Sequence, residues 1–341
     1  MKMGRGTGSA RPRVVVKAKH QVRRSLNRVD NESVRRARSL LHALHHHPPD
    51  VLYLGDSAVS FVGAQDADRR RLSTMVADAL GSGTAVHVVD GPSFNADIYD
   101  AYLGLLKGMP LPSVIVVPLC VRVRFSPWIE HPVHGHKRAI QKIREFDPSR
   151  PSWHVHGAFR TPHKPDFDAF HRVPYPNLLG QKTVGDFVSQ ISAYQRSGDN
   201  LARERLLYAY HHGGLLTAGS AAMEAVTVMG QTLRELGCTT VVYQTPVPVQ
   251  KGIEHYGTEF RSRTEQNFAV LNEAYRLGAG ADAAVIESGG CFSTDEFIDP
   301  RDATEHLNEA GRRRLAGYIV NEINAAGNGL TRQPERLHAD S

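Results

Sequence analysis

Short, mostly apolar runs alternate along this chain with stretches whose apolar residues recur every third or fourth position. The runs are Val51–Leu54, residues 84–89 (TAVHVV), Val114–Leu119, residues 239–245 (TTVVYQT) and Ala283–Ile286. Runs this short, bounded by Gly, Pro and Asp, read as buried strands rather than helices. Between them the spacing predicts helices. One covers 32–46, capped by Asn31, with Val34, Ala37, Leu40, Leu41 and Leu44 on one face and Pro48-Pro49 as its stop. Others fall at about 67–80 (Leu72, Met75, Val76, Ala79), at 96–107, at 258–277 (Phe268, Leu271, Tyr275) and at 308–324 (Leu315, Ile319, Val320, Ile323). Strand alternating with helix predicts an α/β protein, a parallel sheet covered on both faces. Ligands of such sheets bind beyond the carboxyl ends of the strands, where Ser57, Gly91 and Cys120 fall.

Residues 123–235 break that rhythm. They are rich in Pro, His, Arg and aromatic residues and turn helical around 183–210 and 219–236, which suggests an insertion packed as a cap over the strand ends. The expected organisation is a flexible basic arm (1–31), one discontinuous α/β domain (32–122 with 236–325), the cap (123–235) and a flexible tail (326–341).

Composition narrows the class. The 341 residues are 41% hydrophobic and 22% charged, as in ordinary globular proteins. No apolar stretch approaches the ~20 residues of a membrane span, and the N-terminus lacks an apolar signal core, so a cytoplasmic protein is expected. Cys120, Cys238 and Cys291 have no paired spacing, which excludes a disulfide framework or zinc ribbon and fits a reducing compartment. The net charge of +6 is uneven. Residues 1–38 hold Lys2, Arg5, Arg11, Arg13, Lys17, Lys19, Arg23, Arg24, Arg28, Arg35, Arg36 and Arg38 against Asp30 and Glu32. With few aromatics and no nucleic-acid module, the arm reads as a solvated tail, or as a contact for an acidic carrier protein or anionic surface, and not for nucleic acid.

The candidate chemistry lies at both ends of the chain. Ser57, in Gly55-Asp56-Ser57, stands where the first strand ends, a rigid place from which to present a nucleophile. A serine hydroxyl needs a base within hydrogen-bond reach, and His306, in Glu305-His306-Leu307-Asn308, is the best candidate. Asp299, Asp302 and Glu305 are the nearby carboxylates able to fix its tautomer, and Asp302 is the choice. His131, His134 and His136, with His154 and His156, have spacings that could ligate a metal, but no carboxylate or cysteine pattern completes a site. Neither a metal nor another cofactor is expected.

These blocks give the chain a resemblance to the SGNH (GDSL-type) hydrolase superfamily. Gly55-Asp56-Ser57 resembles its nucleophile block, Gly91 in Val89-Asp90-Gly91-Pro92 its glycine block, residues 116–122 its third block and His306-Leu307-Asn308 its fourth. Within the superfamily the chain is most similar to an uncharacterised bacterial, D-alanyl-transfer-like branch, through Tyr243-Gln244-Thr245-Pro246. The resemblance implies a flavodoxin-like three-layer α/β/α fold and a Ser57 acyl-enzyme formed from an ester or thioester. It also implies an oxyanion hole built from the backbone N–H groups of Ser57 and Gly91 and a third donor at Cys120. Asp56, Asn95, Arg122 and Arg124 are the candidate substrate contacts.

Two departures are visible. Cys120 stands where the superfamily offers asparagine, and losing one oxyanion donor can cost roughly 10²–10³ in rate. The family aspartate sits three residues before its histidine, where this chain has Ala303, so Asp302 needs a one-residue bulge. The expected activity is hydrolysis, or acyl transfer to a hydroxyl or amine acceptor such as a saccharide or natural product, from a small or carrier-bound acyl donor. The rivals are a non-catalytic binding protein with a degraded oxyanion hole and a metal-dependent enzyme using the cap histidines.

Overall fold

The computed structural model describes residues 32–122, 137–146, 172, 174–180 and 183–327. Four parallel strands, β1 (Val51–Gly55), β2 (Val86–Asp90), β3 (Val114–Leu119) and β4 (Thr239–Gln244), form a sheet of order β2-β1-β3-β4. The order reverses between β1 and β3, the flavodoxin-like switch point at which such sheets bind ligands. The predicted strand at 283–286 shrinks to a single parallel bridge from Ile286 to Tyr243, where the chain only brushes the sheet edge.

Alternate side chains of each strand divide the core in two. Leu52, Leu54, Ile115, Val117, Leu119 and Val242 point to one face. There they meet α1 (residues 32–46), α4 (Ala96–Gly104), α8 (Ala221–Leu236) and α10 (Thr258–Ala279). Val51, Tyr53, Val114, Val116, Val241 and Tyr243 point to the other, against α3 (Leu72–Leu80) and α11 (Glu309–Gly327). Three layers follow: helices, sheet, helices. Each fully buried Leu or Val is worth about 1.5–3 kcal/mol, so strands apolar on both faces are what such a sheet needs. The hydroxyl of Tyr53 donates to that of Tyr243 at 3.0 Å, which gives two buried phenols a partner inside the second layer.

Two departures from the sequence pattern matter for the site. The helix expected at 183–210 is two, α6 (Val184–Ser197) and α7 (Asn200–His212), because Gly198 takes a left-handed conformation and Asp199 caps the next helix. Helix α8, assigned by pattern to the cap, packs against α4 and α10 as part of the first helical layer. Helix α5 (Lys137–Arg144) also lies against α4, and α9 (Val249–Tyr256), which the apolar spacing did not predict, sits between Pro248 and Gly257. No described helix is long and apolar enough to cross a membrane. The arm, most of the proline- and histidine-rich part of the insertion and the tail from 328 lie outside the described residues.

Candidate active site

Strand β1 ends at Gly55, and the chain doubles back at once into the one-turn helix α2 (Ser57–Ser60). A Cβ at Gly55 would come within 2.8 Å of Val59, so this reversal needs glycine. Asp56 is buried and caps the turn, accepting from the N–H of Ala58 at 2.8 Å. Ser57 thus begins a helix at the carboxyl end of β1, next to the switch point. Its N–H makes no hydrogen bond among the described residues.

His306 arrives from the other end of the chain. Its Nε2 lies 3.2 Å from Ser57 Oγ, although 249 residues separate the two. The backbone around it is pinned to the preceding loop. Ile298 donates to His306 O at 2.9 Å, Asn308 to Glu296 O at 2.9 Å, and Leu307 bridges Phe297. The guanidinium of Arg312, with no exposed surface, ties this segment to the loop that follows Ser57. It donates to Leu307 O at 3.0 Å, Asp66 Oδ2 at 2.7 Å, Asp68 O at 2.8 Å and Arg70 O at 3.1 Å. Phe61 stacks on the imidazole, centroids 4.4 Å apart and planes within 9°. Burial, with the nearby Arg122 cation adding to it, holds the His306 pKa down at about 4. The ring is therefore neutral at neutral pH. With its proton on Nδ1, Nε2 accepts from the serine hydroxyl.

The carboxylates sit elsewhere than the sequence suggested. Asp302 is half-exposed and accepts from Arg203 Nη2 at 3.0 Å, not from His306. Asp299 caps its own turn and pairs with Arg301 at 2.9 Å. Glu305 is buried and turned to other partners. It forms a 2.6 Å ion pair with Arg122, and the Cys120 thiol donates to its other oxygen at 3.8 Å. Burial pushes Glu305 up to about 7, even against the pull of Arg122. Among the described residues no carboxylate is hydrogen-bonded to His306. The arrangement is a serine–histidine pair resting on a buried Arg122–Glu305–Cys120 floor.

The oxyanion candidates fare unevenly. The Gly91 N–H donates to Gly55 O at 3.2 Å, prolonging the β1–β2 ladder, so it is already engaged. A Cβ at Gly91 would strike the Phe94 ring at 2.4 Å, which accounts for glycine there by packing. Asn95 caps α4 through Oδ1, accepting from Ile98 N at 3.3 Å. Arg124 and His131, His134, His136, His154 and His156 lie outside the described residues. Among the described residues no three His, Cys, Asp or Glu side chains are grouped to hold a metal ion. Phe61 and Arg312 went unnoticed in the sequence. An aromatic four residues after the serine was the available signal for Phe61. Nothing marks Arg312 among the neighbouring arginines of its helix.

No family model matches the chain, and no curated protein matches it. Among solved structures, a lipase/acylhydrolase from Enterococcus faecalis aligns over 81% of this chain and 95% of that one. It is 14% identical with a TM-score of 0.33, a likeness too loose to carry any argument about this chain.

Proposed function

We propose that this protein is a serine hydrolase or acyltransferase of SGNH type acting through a Ser57–His306 dyad. The observation that carries the reading is the 3.2 Å approach of His306 Nε2 to Ser57 Oγ at the carboxyl end of the sheet. In the proposed reaction Ser57 Oγ attacks the acyl carbonyl of an ester or thioester while its proton passes to His306 Nε2. The tetrahedral species then collapses, the imidazolium protonates the departing alcohol or thiol, and an acyl-serine remains. Water, or a hydroxyl or amine acceptor, attacks that ester while His306 takes the attacking group's proton; as the second tetrahedral species collapses, the imidazolium returns a proton to Ser57 Oγ and the new acyl product leaves. The Ser57 N–H is the donor best placed for the oxyanion, with the Arg122 cation supporting it from the floor. Because Asp302 is spent on Arg203, the dyad works without that carboxylate. The D-alanyl-transfer-like branch finds no support in the comparisons, and the acceptor is left open.

The test is a fluorophosphonate probe read by intact mass. Wild-type protein should gain one adduct, and Ser57→Ala should gain none while its thermal midpoint stays nearly unchanged. Full labelling of Ser57→Ala would move the nucleophile elsewhere. The engaged Gly91 N–H and the thiol at position 120 favour a second reading, a binding protein that keeps the fold without the chemistry. An unlabelled wild type would select it.

A further inference from the structure

Helix α7 holds the turn that carries His306 at three points. Arg203 Nη2 donates to Asp302 Oδ1 at 3.0 Å, Tyr208 OH donates to Pro300 O at 2.7 Å, and His212 Nε2 lies 3.0 Å from Ala303 O. Tyr208 and His212 are one helical turn apart and share a face, while the long Arg203 reaches round from an earlier turn. A carbonyl only accepts, so the His212 nitrogen against Ala303 carries the proton. Burial with the Arg122 charge keeps that ring neutral, its pKa held at about 3. The residue it grips is strained: Ala303 is fully buried with φ 51° and ψ 40°, a left-handed conformation unfavourable for alanine. Such a conformation persists only where its surroundings fix it.

His306 follows three residues later. Its imidazole has Phe61 on its face and Ser57 on Nε2, and among the described residues no carboxylate on Nδ1. Its aim is therefore set largely by the backbone from which it hangs. Arg312 secures that backbone on the Leu307 side; α7 secures it on the Ala303 side.

We propose that helix α7 of the insertion sets His306 against Ser57, with Tyr208 and His212 as positioning residues acting through the backbone carbonyls of Pro300 and Ala303. The proposal rests on Ser57 and His306 being the reacting pair. It makes this part of the insertion a fixed part of the site rather than a lid that swings clear of it.

Tyr208→Phe and His212→Phe each keep an aromatic ring and remove one donor. In full-length protein, each should lower the maximal rate of fluorophosphonate inactivation about tenfold, and the pair together about a hundredfold. The half-saturating probe concentration should not move, because the probe's binding groups are untouched. His212→Gln, whose amide N–H falls near the position of the ring's, should recover most of the rate. NMR titration of the His306 ring reads the same event without reactivity. In the double variant its pKa should climb from about 4 toward the free value of about 6.5 as the ring meets water. A folded double variant with the wild-type inactivation rate and an unmoved titration would overturn the proposal. If wild-type Ser57 takes no label, the reading of the pair fails by itself, and the titration alone then upholds or overturns the clasp. Should His212→Phe not fold, Arg203→Ala removes a partly exposed contact and should slow inactivation a few-fold; no change there counts against the proposal.

Discussion

At the scale of single residues, His306 and Glu305 sit side by side in sequence and carry opposite perturbations. Both come from burial: it disfavours the charged form of each, so the histidine is pushed down to about 4 and the glutamate up to about 7. A base that stays neutral down to pH 4 should give kcat/KM for a simple ester an acid limb near pH 4 instead of 6.5. A limb near 6.5 would mean that the ring is solvated in the protein at work in solution. The floor below it leads to a second expectation. Cys120→Asn, which supplies the amide that the SGNH resemblance calls for, would place an N–H₂ group where Glu305 Oε1 already accepts from the thiol. That carboxylate should capture the amide, and ester turnover should not rise; a gain of tenfold or more would show the amide turned toward the acyl oxygen instead. Glu305→Ala should cost about 3 kcal/mol in chemical denaturation by taking the carboxylate from buried Arg122, with part recovered in Glu305→Leu/Arg122→Met.

Among the elements, the strands were the most legible, since four of the five apolar runs map onto four strands with ends shifted by a residue or two, and the fifth is reduced to the bridge at Ile286. Helix α1 follows the same logic, its five spaced apolar positions packing on the sheet. What the pattern mislaid was α8, whose crossing with α10 is made by backbone and not by bulky side chains. A Cβ at Gly278 would fall 2.0 Å from Thr227 O, one at Gly230 would fall 2.8 Å from Tyr275 O, and Thr227 Oγ1 donates to Ala274 O at 2.9 Å. Glycine spacing on two helices far apart in sequence is invisible to a hydrophobic count. Gly278→Ala should force the helices apart and cost about 1–3 kcal/mol by denaturant titration; a neutral result would mean that the crossing relaxes freely. The site divides in the same manner. Ser57 and His306 were readable because each sits at a strand end or helix lead-in in a recognisable local phrase. The partners of Asp302 and Glu305 were not, because they depend on how a left-handed turn at Ala303 orients the residues on either side of it.

Across the whole molecule, burial of neutral histidines makes acid the natural denaturant. His306 and His212 are held at about 4 and 3, and His211 is also lowered by burial. Groups with depressed pKa values contribute stability that is present above pH 6.5 and lost as pH falls through their folded values. Glu305 has the opposite sign, its contribution being full below about 4.5 and lost as pH rises through about 7. The histidines outnumber it, so unfolding near pH 5 should take up about two protons net and stability should fall steeply below pH 6. Calorimetry across pH 4.5–7 checks this, and a flat profile would place these rings in water. The distance along the chain between Ser57 and His306 also has a meaning in time. A ribosome adding roughly 5–20 residues per second needs on the order of 10–50 s to pass from one to the other. During that interval the nascent protein displays Ser57 without the histidine that the proposed dyad needs. On the proposed dyad the hydroxyl stays chemically asleep until His306 has been added and seated against it, so a chain released before then would form no acyl-serine.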